Sequence, residues 1–168
     1  IADPRTLRCE SCSGTLSVTY TNWKRQVSSL VGGGTLDMPI PLGSLSKYLS
    51  LGEGNTPVVS MPKISSMFET EIYGKLEFMN PTGSFKDRGT AMMISALKSK
   101  GVSEIVEDSS GNAGASVSAY ATRAGMKAHI FAPLSAPQTK LNQIKVYGSI
   151  LHAVDGSRDE TTEAAEKF

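Results

Sequence analysis

Between Glu104 and Phe168 the chain alternates two kinds of segment. Short apolar runs at Glu104–Glu107, Lys127–Ala132 and Ser149–Val154 have the length of strands, and helical spacings cover Ala113–Ala124, Gln138–Val146 and the stretch from Asp159 onward. A strand that is followed each time by a helix pairs in parallel with the next strand, because the helix is the crossover. Gly125 and Gly148 fall where helix C-caps belong, Pro133 and Pro137 interrupt between elements, and the crossovers should be right-handed. The expectation is an α/β fold with an open parallel sheet built of βα units.

Upstream, Glu77 to Gly89 reads EFMNPTGSFKDRG. Pro81 and Gly83 make a turn, and Ser84 followed three residues later by Asp87 has the form of a capping box that starts a helix at about Phe85. Lys86 then stands in the first helical turn, where unpaired N–H groups and the positive end of the helix dipole disfavour a second positive charge. An amine with its pKa lowered in this way suits a nucleophile that forms a Schiff base. The same residues also fit a capped surface helix with an ordinary charged first turn. Ahead of them, Glu71–Leu76 reads as a strand; behind them, Met92, Met93, Ala96 and Leu97 recur at helical spacing as a core face that stops at Gly101.

A second small-residue turn follows the strand at Glu104, with Ser109-Ser110-Gly111-Asn112-Ala113-Gly114 opening a helix. The free N–H groups of a helix start form an anion site, and Gly111, Ala113 and Gly114 have no bulk to hold a ligand away from the backbone. Asn112 adds a side-chain amide donor. A strand, a glycine turn and a helix also make a common connection with no ligand at all.

PTGSFKDRG followed by SSGNAG resembles the fold-type-II pyridoxal-phosphate enzymes, the family that holds tryptophan synthase β, the serine and threonine dehydratases and cysteine synthase. Gly52-Glu53-Gly54-Asn55-Thr56-Pro57 ahead of NPTGSFKDRG is similar, more narrowly, to the threonine synthases. The resemblance implies pyridoxal 5'-phosphate as cofactor, with Lys86 as the lysine that carries it and then as the general base. It implies that Asn112 bonds the cofactor's ring oxygen, that the backbone of Ser110, Gly111 and Ala113 holds the substrate carboxylate with a hydroxyl from Ser109 or Ser110, and that Thr56 lies near the site wall. The reaction implied converts O-phosphohomoserine and water to threonine and phosphate, with a dehydratase, a cysteine-synthase-like β-replacement enzyme or a non-catalytic scaffold as alternatives. Ala113 departs from the many relatives that carry a hydroxyl residue there. The resemblance also places the cofactor-phosphate loop beyond Phe168, so the chain is expected to lack a carboxy-terminal half.

At 168 residues, 39% apolar, 20% charged and net charge +1, the composition is that of a soluble globular chain. No run reaches a membrane span and no secretion signal opens the sequence, so the cytoplasm is the expected compartment. The near-zero charge, without a basic stripe, gives no argument for nucleic acid. The partners expected are a small amino-acid substrate and, as the candidate assembly, a homodimer.

Cys9 and Cys12 make a Cys-x-x-Cys turn of the kind found in zinc knuckles, and the sequence has no other cysteine. Half a site is present, with His129 and His152 too far along and in strands, so no metal is assigned. A vestigial ribbon, zinc completed elsewhere and a redox pair stay open. The glycine run Val31–Thr35 lacks a strand before it and a helix after it, and reads as a linker. Ser44–Ser50 reads as a short helical turn and Val58-Val59 as extended. Arg158, Asp159 and Glu160 read as a solvated helix start, and the two histidines as packed, hydrogen-bonded strand residues. The domains expected are a zinc-ribbon-like segment over 1–22, part of a larger domain with the lysine helix over 23–103, and a small βα domain over 104–168.

Overall fold

The computed structural model describes residues 8–17 and 48–168. The glycine run Val31–Thr35 and the Ser44–Lys47 part of the expected helical turn lie outside the described residues. In the longer stretch β1 (Val58–Ser60) and β2 (Tyr73–Lys75) pair antiparallel on either side of α1 (Pro62–Phe68). A 3₁₀ turn at Glu77–Met79 leads to α2 (Lys86–Ser99). After it come β3 (Glu104–Glu107), α3 (Asn112–Arg123), β4 (Lys127–Pro133), α4 (Gln138–Val146), β5 (Ile150–Val154) and α5 (Arg158–Lys167).

The three later strands form one parallel sheet in the order β3-β4-β5, with Glu104 opposite Lys127 and His129 opposite Ile150. The α/β expectation therefore holds, with no boundary from β3 to α5 moved by more than one residue. Helix ends account for the spacing: Gly125 at φ 64° and Gly148 at φ 90° adopt left-handed backbone that glycine enters without a Cβ clash.

β4 is the central strand, and its two faces do different work. Ala128 and Ile130 point into a core shared with Val117, Tyr120 and Ala121 of α3, Ala91 and Ile94 of α2, and Ile144 of α4. Ile94, Ile130 and Ile144 are fully buried, and each contributes roughly 2 kcal/mol of apolar transfer. On the opposite face His129 and Phe131 meet His152 of β5 and Phe168 at the end of α5. The two histidines are packed and bonded as expected: His129 Nδ1 lies 2.8 Å from His152 Nε2, and His129 Nε2 lies 2.6 Å from Glu104 Oε1. Burial pushes His152 below the usual histidine range, with the His129 charge adding to it.

Two local expectations are corrected. Ser84 and Asp87 do not form a capping box. α2 begins at Lys86 with no side-chain cap, and Asp87 turns instead to Thr82 and Ser116, which offer its carboxylate three donors. Tyr48–Ser50 is not helical, because the Glu53 carboxylate gathers the Tyr48 and Ser50 hydroxyls and the Leu51 N–H around itself. The solvated helix start is as expected, with Arg158, Asp159 and Glu160 all exposed at the beginning of α5, where Arg158 also pairs with Asp108 at 3.1 Å. The capping box that does form joins Ser157 and Glu160 at the start of α5.

Around the cysteines, Arg8 and Thr15 make one antiparallel bridge. The turn is closed by Cys9 N–H to the Gly14 carbonyl at 2.9 Å and Ser13 N–H to the Cys9 carbonyl at 2.8 Å. Both thiols are free, and the Ser11 hydroxyl 3.1 Å from Cys9 Sγ holds that thiol down at about 7. Among the described residues no cluster of three His, Cys, Asp or Glu side chains could hold a metal ion.

Candidate active site

Two helix starts without side-chain caps define the site. Lys86 is the first residue of α2 and Asn112 the first of α3; their N-caps, Phe85 and Gly111, supply no side-chain acceptor. At α3 the uncapped first turn leaves N–H donors and the positive end of the dipole available to a ligand. At α2 the Lys86 N–H donates to the Ser84 hydroxyl at 3.3 Å and the Asp87 and Arg88 N–H groups donate to the Ser84 and Phe85 carbonyls at 3.4 and 3.2 Å, so that start presents the Lys86 side chain. The Lys86 ammonium stands 5.3 Å from the Phe85 ring centroid. Among the described residues it makes no ion pair. A lysine that is not committed to a carboxylate is available for covalent work.

Asp87 joins the two helices. Its carboxylate is fully buried and accepts from Thr82 N–H at 2.7 Å, from the Thr82 hydroxyl at 2.5 Å and from the Ser116 hydroxyl of α3 at 2.6 Å. Gln143 of α4 closes the loop by donating to the Thr82 carbonyl at 3.1 Å. The turn that presents Lys86 is thereby tied to both neighbouring helices.

The Ser109–Gly114 loop sits at the C-terminal end of β3. Its path is fixed by close approach: a Cβ on Gly114 would stand 1.9 Å from the Ser109 carbonyl oxygen. Only glycine fits there. The Ser109 hydroxyl accepts from the Gly111 N–H at 3.3 Å, so these two groups are partly spent on each other. A Cβ on Gly111 would meet nothing nearer than the Ser109 hydroxyl at 3.9 Å, which leaves the backbone open to a ligand. Asn112 is exposed, and its Oδ1 accepts from Lys140 of α4 at 3.1 Å. An ammonium only donates, so the oxygen must face Lys140 and the NH2 group is left to donate elsewhere.

Thr56 is buried on the other side of the α2 start. Its hydroxyl donates to Glu77 at 2.9 Å and accepts from Arg88 at 3.1 Å, while Arg88 grips Glu77 with two bonds of 2.8 Å. The Arg88 bonds hold the Glu77 carboxyl down at about 2 against the cost of burial, helped by Thr56 and Asn80. Glu53 is a second anchor. Burial pushes its carboxyl up, but bonds from Tyr120 at 2.6 Å and Tyr48 at 2.5 Å outweigh that and hold it below the usual range.

The structure thus gathers Ser109, Ser110 and Gly111 in the loop that leads into α3 and Asn112 and Ala113 in its first turn, and sets Lys86 and, through Arg88, Thr56 at the start of α2. Cys9 and Cys12 take no part in these bonds among the described residues. Sequence reasoning passed over Lys140, whose only signal was its position two residues into the helix after Pro137. It also passed over Glu107 at the end of β3, whose carboxyl burial raises, with the Asp108 charge adding and the Arg158 and Lys86 charges opposing. An uncommitted amine, an amide donor and an uncapped, glycine-lined helix start make a donor set suited to a ligand with a reactive carbonyl and anionic groups. Pyridoxal phosphate has both.

Residues 49–168 match the family model described as pyridoxal-phosphate-dependent enzyme, and the chain belongs to that family. It is 40% identical over 130 residues to a threonine synthase of a Bacillus species, covering 77% of this chain and 37% of the relative. Against a threonine synthase of a Synechocystis species it is 37% identical over 124 residues, covering 72% and 32%. Among solved structures it is similar to maize serine racemase, with a TM-score of 0.62 and 33% identity over 67% of this chain and 34% of that one. The chain spans about a third of the length of the curated relatives it matches. No described helix is long and apolar enough to cross a membrane.

Proposed function

We propose that the protein is a pyridoxal-phosphate-dependent threonine synthase, converting O-phosphohomoserine and water to threonine and phosphate. The observation that carries this is the pairing of two uncapped helix starts, one presenting Lys86 and the other Asn112, in a chain with 40% identity to a threonine synthase.

When bound, the cofactor supplies an electron sink for substrate carbon chemistry. Lys86 would hold it through Nζ, and the same amine would move protons between substrate carbons. Asn112, with its oxygen turned to Lys140, would donate its NH2 to the ring oxygen. The backbone N–H groups of Ser110 and Ala113, with that of Gly111 and the Ser109 or Ser110 hydroxyl, hold the substrate carboxylate at the α3 start. Thr56 acts through Arg88 and Glu77 to shape the wall. The Cys9–Cys12 turn is a structural, zinc-ribbon-like knuckle in this reading, and the enzyme works in the cytoplasm as a homodimer.

A dehydratase or β-replacement enzyme is the second reading. Ala113 favours it, because no hydroxyl stands there to meet a leaving phosphate, and so does the likeness to maize serine racemase. Turnover of O-phosphohomoserine, serine and O-acetylserine by the intact protein separates the two. Threonine and phosphate from the first substrate are the expected products, and pyruvate from serine as the main product would move the assignment to a dehydratase.

A further inference from the structure

The buried Asp87 carboxylate has no part in the chemistry proposed above, yet it is the one charged group at full burial beside the lysine, among the described residues. An ionised carboxylate is expensive to bury and persists only where donors meet its oxygens. Here both oxygens are met: Oδ2 by the Thr82 N–H, and Oδ1 by the Thr82 and Ser116 hydroxyls. Thr82 belongs to the loop before α2, Asp87 to the first turn of α2, and Ser116 to the second turn of α3. Gln143 of α4 holds the far side of Thr82.

In a helix each residue is rotated about 100° from the one before it, so fixing the direction of Asp87 fixes the direction in which Lys86 leaves the axis. The same carboxylate sets the distance between the α2 and α3 starts. We propose that Asp87 is a positioning residue: by holding Thr82 and Ser116 together it locks the Lys86 end of α2 to the Asn112 end of α3 and aims the Lys86 amine at the carbonyl it captures. The inference rests on the reading that Lys86 holds the cofactor.

The chemistry of the three donors decides which variants are informative. A carboxylate accepts on both oxygens, whereas an amide at residue 87 turns an NH2 group toward one of three donors. Where that NH2 faces the Thr82 N–H it clashes, and where it faces the two hydroxyls they can turn to accept from it, so Asp87→Asn does not separate positioning from folding. Thr82→Val removes only the hydroxyl at constant shape, Thr82→Ser keeps the hydroxyl and removes only the methyl, and Ser116→Ala removes the α3 bond.

The experiment uses the intact protein stripped of cofactor. Added pyridoxal phosphate is followed by the rise in visible absorbance, and the site of attachment by borohydride reduction and peptide mass mapping; the thermal midpoint of each stripped variant is recorded in parallel. Misplacing a reacting amine by about 1 Å costs up to about a hundredfold in rate, so Thr82→Val and Ser116→Ala should capture cofactor at Lys86 roughly ten- to a hundredfold more slowly, with Thr82→Ser within about twofold of wild type. Capture by Thr82→Val and Ser116→Ala at the wild-type rate overturns the positioning role while leaving Lys86 as the cofactor lysine. Equal slowing in Thr82→Ser and Thr82→Val, in step with a fall in thermal midpoint, also overturns it, since loss of packing would then be the cause. Capture by the wild type at another lysine overturns both this inference and the reading beneath it.

Discussion

Lys140 Nζ donates to Asn112 Oδ1 across 3.1 Å, linking α4 to the first residue of α3. The bond fixes which end of the amide meets Lys140, because the ammonium can only donate, and it leaves the NH2 group to donate elsewhere. In the proposed enzyme that NH2 is a donor to the cofactor's ring oxygen. Asn112→Ala should still bind cofactor covalently but shift its absorbance, and slow turnover by about ten- to a hundredfold, the range for losing one donor at a reacting centre. Lys140→Met, which keeps the stem and removes the ammonium, should move the spectrum in the same direction by less. An unchanged spectrum and rate in both variants would remove Asn112 from the site.

Lys86 should carry the cofactor to the exclusion of its neighbours. Lys75 already donates to the Thr56 carbonyl at 2.9 Å, and Lys98 lies in the last turn of α2, at the far end from Asn112. Borohydride reduction of the loaded protein followed by peptide mapping should place the adduct on Lys86. A reduced adduct on Lys75, Lys98 or Lys100 would sink the assignment.

Gly114→Ala tests the path of the loop. The new Cβ would lie 1.9 Å from the Ser109 carbonyl oxygen and 3.2 Å from Ile144 Cδ1, and the first of these contacts is with backbone. α3 has little room to retreat, being held by Ser116 to Asp87 and by Tyr120 to Glu53. The expected result is a loss of about 1–3 kcal/mol in urea unfolding, typical of overpacking, together with weaker cofactor uptake because Ser109–Gly111 must move. Wild-type stability and uptake would mean that the loop is looser than this geometry implies.

The parallel sheet and the two turns that open α2 and α3 were legible in the sequence because each rests on a local rule. Period and length separate β3, β4 and β5 from their helices, and glycine at positions 125 and 148 marks the helix ends. What was not legible depended on partners distant in the chain. Ser84 and Asp87 have the spacing of a capping box, but Ser116, 29 positions beyond Asp87, competes for the carboxylate, and local pattern cannot register that donor. Glu53 undoes the expected turn at Tyr48–Ser50 in the same way, through bonds that include one from Tyr120, 67 residues away. Lys140 was invisible for the converse reason: an exposed lysine in a helix carries no signal until the fold sets it beside Asn112.

The Arg88–Glu77 pair gives the last prediction, a pH dependence with a defined sign. Hydrogen bonds from Arg88, with Thr56 and Asn80 adding theirs, hold the Glu77 carboxyl at about 2, below the ordinary value of 4.5 that it regains on unfolding. A carboxyl with a folded value below its unfolded one binds its proton less readily in the native state, so its contribution is complete above the unfolded value and disappears as pH falls through the folded one. Glu77→Gln should therefore be less stable than wild type at neutral pH. The gap should narrow between about pH 4.5 and about pH 2 and be nearly closed at the lower limit. Because Arg88 is about 40% exposed, added salt should shrink the gap at neutral pH as well. Urea unfolding of the two proteins across this range reads both effects. A gap of constant size from neutral pH to pH 2 would mean that Glu77 acts through shape and neutral hydrogen bonds to Thr56 and Asn80, with its charge contributing nothing.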